Sequence, residues 1–156
     1  MNNEISLYQF ALEPNPSDDD VQAIHAGLRE FNRPFTPLGD EGPLTIFLRD
    51  ADGRLTGGLL GYTYWGWLYV EILWLAEPAR GQGFGSRLLA LAEAEGARRG
   101  CHHAFLDTMS FQALPFYQKH GYEVWGQLDD FPIGHKRHFL KKALVEEGAK
   151  TESVHG

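Results

Sequence analysis

The sequence predicts an α+β (α/β mixed) fold: a central mixed, mostly antiparallel sheet of about seven strands flanked by helices. Three observations carry this. Two pairs of apolar runs are joined by turn-forming segments, Asp50-Ala51-Asp52-Gly53 and Asp129 to Gly134, as antiparallel hairpins require. A single strand, glycine-rich turn, helix, strand unit lies between them, from Trp67 to Met109. A right-handed crossover makes the two strands of that unit the one parallel pair. Finally, the chain shows no internal repeat and no change of composition until its last residues, so residues 1–144 read as one domain and 145–156 as a disordered tail.

In chain order, Ile5 to Leu12 is expected as a first strand, ended by Pro14 and Pro16. Ser17 suits an N-cap, and Asp18 to Asp20 place negative charge in the first turn of the helix it opens. Val21, Ile24, Leu28 and Phe31 form its apolar stripe, and the helix should stop near Asn32, before Arg33-Pro34. Pro34 to Gly42 reads as a loop, a candidate mobile segment over a substrate site. Leu44–Arg49 and Leu55–Trp65 make the first hairpin, with Gly57, Gly58 and Gly61 marking a bulge or a close approach.

Trp67–Leu75 is apolar on both faces, as a central strand is, and a helix from Ser86 to Arg99 should bury Leu88, Leu89 and Ala92. Ala104–Met109 is the parallel partner, and Gln112–His120 a short helix stopped by Gly121. Tyr122–Leu128 and Lys136–Lys142 close the sheet.

Composition narrows the function classes. The 156 residues are 43% hydrophobic and 22% charged, ordinary for a soluble globular chain. A net charge of −7 argues against nucleic acid as a partner and is compatible with cationic substrates. The lone Cys101 rules out an intrachain disulfide and a cysteine-rich metal site, and its apolar context suggests a buried structural thiol. No metal is expected. The first residues lack the basic, then apolar pattern of a signal peptide, and no run approaches the roughly 18 apolar residues of a membrane span. A cytoplasmic protein without membrane partners is the expectation.

Chemistry concentrates at Arg80-Gly81-Gln82-Gly83-Phe84-Gly85-Ser86, between the central strand and its helix. The first N–H groups of a helix have no intrahelical acceptor, and glycine lets an anion approach the backbone. This is a phosphate-binding turn. A Walker A loop needs Gly-Lys-Ser/Thr, which is missing here. Gly81-x-Gly83-x-x-Ser86 approaches a dinucleotide fingerprint, with Asp107 placed for a ribose, but that fingerprint belongs to repeated parallel βαβ units.

Two motifs then point to one family. Arg80-x-x-Gly83-x-Gly85, preceded by Pro78, and Phe116-Tyr117-Gln118-Lys119-His120-Gly121-Tyr122, preceded by Ala113, stand in order and are separated by a helix and a strand. In both, the chain resembles the GNAT acetyltransferase superfamily, over roughly Ile5 to Leu144 and most sharply from Ile72 to Tyr122. One departure is Ser110, which stands where the family often has an asparagine reaching the cofactor's pantetheine arm.

The resemblance implies acetyl-CoA as co-substrate. Its pyrophosphate would lie on the N–H groups of Gln82 to Ser86, with Arg80, Gly81 and Gly83 to Gly85 shaping the turn. Its acyl arm would run along Leu73, Trp74 and Leu75, where the family's two parallel strands splay apart, and past Ser110 and Phe116. The acetyl group would pass to a primary amine of a small molecule or peptide by direct attack in a ternary complex. Tyr117 takes the position of the acid that protonates the departing thiolate; its alternative is a core phenol bonded to a backbone carbonyl. Glu71, in the apolar run Tyr69-Val70-Glu71-Ile72-Leu73, is the candidate base if it faces a cleft and is buried enough for its pKa to rise, with Asp107 second.

His102 and His103 read as surface residues, and His135 to His138 as a solvated edge or a homodimer contact. Tyr64, Trp65, Trp67 and Trp74 are core aromatics or the lining of an acceptor pocket. A non-catalytic acyl-CoA sensor on the same fold is the rival reading.

Overall fold

The computed structural model describes residues 7–36 and 39–144. They belong to two compact units, divided between Pro37 and Leu38. In the first, helix α1 spans Asp18–Asn32. Ser17 caps it by accepting the Asp20 N–H at 3.1 Å, and Asp18 to Asp20 occupy the positive end of its dipole. The chain does not leave the helix directly into a loop. Arg33–Phe35 add a 3₁₀ turn, because Pro34 falls in its first turn, where no N–H is needed.

The expected first strand is not formed over Leu7–Leu12; residues 5 and 6 lie outside the described residues, as do 145–156. β-propensity is largely a measure of packing against neighbours, so composition alone does not make this segment a strand.

The second unit is built on a six-stranded sheet: β1 (Gly42–Arg49), β2 (Leu55–Tyr64), β3 (Trp67–Leu75), β4 (His103–Met109), β5 (Glu123–Asp129) and β6 (Lys136–Ala143). The order across the sheet is β1-β2-β3-β4-β6-β5. All neighbours are antiparallel except β3 and β4, which run parallel as the crossover dictates. Helix α2 (Phe84–Arg98) makes that crossover, and the short α3 (Leu114–Lys119) precedes β5.

Alternate residues of the central strands, Leu68 and Val70 on β3 and Ala104 and Leu106 on β4, join Leu88, Leu89 and Ala92 of α2 in one core with Tyr117, Tyr122 and Leu140. Cys101 is buried there, and burial pushes its thiol above the usual range, as befits a structural thiol. Tyr122 pins the core from below: its hydroxyl donates to Glu93 Oε1 at 3.0 Å, and Lys142 pairs with the same carboxylate at 2.9 Å.

Two features of the sheet position the site. Parallel pairing of β3 with β4 runs only from Trp67↔His103 to Val70↔Leu106, so the strands part beyond it. At the same level the β2–β3 register jumps, from Gly61↔Val70 to Leu60↔Ile72, leaving Glu71 as a bulge residue. The β2 glycines make the close approach possible. A Cβ on Gly61 would sit 2.5 Å from the Tyr69 carbonyl oxygen.

Arg99, after α2, ties the helix end to the sheet edge. Its Nε donates to Glu95 Oε1 at 2.9 Å, and its Nη1 donates to Pro43 O at 3.1 Å and Thr63 Oγ1 at 3.2 Å. Hydrogen bonds from Arg98 and Arg99 lower the Glu95 carboxyl from 4.5 to about 2. The folded value lies below the unfolded one, so this stabilisation is present above pH 4.5 and is lost as pH falls toward 2.

Two expectations follow. Gly61→Ala should cost about 1–3 kcal/mol in urea unfolding, because the sheet must open to admit the methyl group. Arg99→Met should cost about 1.5–3 kcal/mol at neutral pH and should shrink the acid-induced loss of stability below pH 4.5; an unchanged acid limb would contradict the Glu95 assignment.

Candidate active site

The glycine-rich turn is an open nest of backbone N–H groups. Gly81 and Gly83 have φ of 74° and 81°, the left-handed region that glycine alone enters without strain. α2 therefore starts at Phe84, two positions before the residue expected from sequence, with Gly83 as its N-cap and no capping side chain. The first helical bond runs from Arg87 N to Gly83 O at 3.2 Å. Among the described residues, nothing accepts from the N–H groups of Phe84, Gly85 and Ser86.

A Cβ at Gly81 or Gly83 would meet no protein atom within 4 Å, so crowding by the protein does not demand glycine there. The turn fits a diphosphate: it offers unpaired donors, the positive end of a helix dipole and unobstructed space.

The flanking side chains brace the turn. Arg80 Nε donates to Leu75 O at 3.0 Å, and Gln82 Nε2 donates to Pro78 O at 2.9 Å. Arg80 thus ties the nest to the end of β3. Phe116, from the second motif, packs on the first turn of α2: its ring lies 3.5 Å from where a Gly85 Cβ would be. His120 holds Phe116 in turn, with ring centroids 4.5 Å apart and Nδ1 2.8 Å from the Phe116 carbonyl oxygen.

Between these elements lies the splay. Because β4 stops pairing after Val70↔Leu106, no strand pairs with Glu71 to Leu75 on that side and Arg80 takes the Leu75 carbonyl at its end; the opening begins earlier than the expected Trp74–Leu75. Leu73 and Leu75 pack against the core, whereas Trp74 is exposed. Glu71 is exposed too, so the burial expected of it is absent: alternation from the core-facing Leu68 and Val70 carries it to the other face of the sheet. Asp107, the first β4 residue past the last parallel pair, is more enclosed. It pairs with Arg137 Nε at 2.9 Å, and the Arg137 guanidinium lies over the Phe131 and Phe139 rings. Arg137 is accordingly no part of a solvated edge.

Tyr117 is buried, 7% exposed, and its ring is edge-on to Phe116 and Tyr122. Its hydroxyl makes no hydrogen bond to the described protein, unlike that of Tyr122, so the core-phenol alternative lacks its carbonyl partner. Burial, and then the charge of Asp107, push the Tyr117 phenol up to about 12. The phenol remains protonated throughout the physiological range.

Ser110 is committed elsewhere. It accepts from Lys136 N at 3.0 Å, its N–H donates to Lys136 O at 2.8 Å, and its Oγ lies 3.4 Å from His135 Nδ1. It does not cap α3; Ala113 holds that position without a side-chain cap. Sequence reasoning missed the buried Thr108, whose Oγ1 lies 3.4 Å from Gln112 Oε1 and from Ala113 N. Among the described residues no cluster of His, Cys, Asp or Glu could hold a metal, and no helix is long and apolar enough to cross a membrane.

Known proteins share this arrangement. The acetyltransferase (GNAT) family profile matches residues 5–122. An acetyltransferase of Agrobacterium fabrum is 38% identical over 133 residues, covering 85% of this chain and 97% of its own. The blasticidin-S acetyltransferase of Streptomyces morookaense is 42% identical over 113 residues, covering 70% and 83%. The crystal structure of a Bacillus cereus acetyltransferase superposes with a TM-score of 0.78 at 31% identity, covering 86% of this chain and 98% of that one. With the nest, the splayed parallel pair and both motifs in place, the chain belongs to the GNAT family and is an acetyl-CoA-dependent acetyltransferase.

Proposed function

We propose that the enzyme acetylates the primary amine of a small molecule by direct attack within a ternary complex, with Tyr117 as acid and Glu71 as base. The observation that carries this reading is Tyr117: a buried phenol, kept protonated, with no protein partner for its hydroxyl, beside a strand edge left open by the splay. The relative named for blasticidin-S supports a small-molecule acceptor over a peptide.

Acetyl-CoA, when bound, supplies the activated acyl group. The N–H groups of Gln82 to Ser86 hold its diphosphate, each such bond contributing about 1.5–3 kcal/mol. Arg80 positions this turn against the end of β3. Leu73, Trp74, Leu75 and Phe116 wall the arm, and the open β3 backbone donates to the carbonyl under attack. Ser110 takes part through the start of β6, which it fastens at Lys136. Glu71, exposed at the bulge, receives the proton that the amine nitrogen gives up, directly or through water. As the new C–N bond forms and the C–S bond breaks, Tyr117 gives its phenolic proton to the departing sulfur. From a phenol near 12 to a thiolate near 8.5 this transfer is uphill by about 5 kcal/mol, well inside the barrier of an ordinary enzymatic step.

The test is thiol release from acetyl-CoA with an amine panel that includes blasticidin-S. Tyr117→Phe should lower kcat by about 10²–10⁴ and leave the KM for acetyl-CoA little changed. Undiminished kcat would overturn the acid role. If the phenol sits at about 12 rather than 10.0, wild-type kcat should show no Tyr117-dependent decline with a midpoint near pH 10. A decline there that vanishes in Tyr117→Phe would contradict the assignment. Glu71→Gln should slow turnover more than Asp107→Asn; the reverse order would move the base to Asp107.

A further inference from the structure

The face of the sheet that bears Trp67 and Tyr69, away from the core residues Leu68 and Val70, carries a cavity of about 500 Å³, lined by Tyr64, Trp65, Trp67, Phe105, Trp125 and Lys141. Its size suits a small organic ligand. Two of its aromatics are delivered by irregular backbone. Trp65 and Gly66 form the tight β2–β3 turn with φ of 50° and 80°. A two-residue turn of this kind favours Asn-Gly or Asp-Gly, and a bulky side chain at positive φ is a costly choice. The β5–β6 register jumps between Val124↔Leu140 and Gly126↔Phe139, so Trp125 is a bulge residue re-aimed by its backbone. Neither tryptophan is hidden in the core: Trp65 is 48% and Trp125 59% exposed.

The cavity lies over the paired stretch of β3 and β4 that comes just before the splay. Phe105, on its floor, is edge-on to Trp67 at 5.8 Å and stacked on Tyr69 at 4.8 Å with an interplanar angle of 18°. Tyr69 stands just before the last parallel pair, beyond which lie Glu71 and Asp107. Lys141, paired in register with Phe105, makes no ion pair among the described residues. The cavity therefore has aromatic walls and, on its lining, a cation with no ion pair among the described residues.

We propose that this cavity is the acceptor subsite, and that its ligand is a small primary amine built on a planar π-ring bearing an anionic group. The ring lies against the tryptophans, the anion meets Lys141, and the amine points along the Phe105–Tyr69 stack toward Glu71. This rests on the amine-acetylation reading and names its substrate class.

The test is calorimetric titration of the coenzyme A-loaded full chain with 4-(2-aminoethyl)benzoate, 2-phenylethylamine and 2-cyclohexylethylamine, alongside turnover with acetyl-CoA. Affinity should fall in that order, five-fold or more at each step. Lys141→Met should abolish only the first step. Trp65→Asn and Trp125→Ala should weaken phenylethylamine binding ten-fold or more. Trp65→Asn should also leave the unfolding midpoint unchanged or raise it, since Asn is at home in this turn, which separates lost recognition from lost folding. Equal binding of the three amines, or unchanged affinity in Trp65→Asn, would overturn the subsite. Ordered binding without acetylation of any amine would overturn the catalytic reading and sustain the subsite; acetylation without the order would do the reverse.

Discussion

The site depends on one interruption of hydrogen bonding. β3 and β4 pair from Trp67↔His103 to Val70↔Leu106 and then part, while the glycine-permitted bulge at Glu71 lets β3 stay on β2 as it leaves β4. An unpaired strand edge inside a sheet is costly unless something else meets its N–H and C=O groups. An acyl substrate with an extended polar arm can supply those partners. On the proposed reading the bound co-substrate completes the sheet, and the rest of the unit holds the gap open.

The two sequence motifs act together through contact. The nest at Gly81–Ser86 is braced by Arg80 on Leu75 O and by Phe116 on the first turn of α2, so α3 and the end of β3 meet at the turn. Tyr117 and Tyr122, neighbours in one motif, have opposite fates. Tyr122 is bonded to Glu93 and locks α2 to β6 through Lys142, whereas the Tyr117 hydroxyl makes no hydrogen bond among the described residues, as the proposed acid role requires. The carboxylate of Asp107, held by Arg137, adds to the burial that keeps this phenol protonated.

Much of this was legible in the sequence because it is local. Hairpin turns, the Ser17 cap, the glycine turn and the strand–helix–strand crossover each rest on residues within a few positions of one another. What failed was long-range. Leu7–Leu12 has the composition of a strand but forms none, and Glu71 stands in an apolar run yet lies on the exposed face, at a bulge that only the β2 register reveals. Arg137 looked solvated because Asp107 is distant in sequence, and the bonds that commit Ser110 to Lys136 span a similar gap. Trp65 did leave a signal: a tryptophan before glycine in a tight hairpin is out of place on propensity alone.

Backbone amide chemical-shift mapping during titration with coenzyme A tests the nest and the strand edge together. The largest changes should fall at the nest, Gly81 to Ser86, and along the open β3 edge, Glu71 to Leu75. β1 and the β5–β6 turn should hardly move. Changes concentrated away from both the nest and the β3 edge, or none at Gly81 to Ser86 under saturation, would contradict the proposed site.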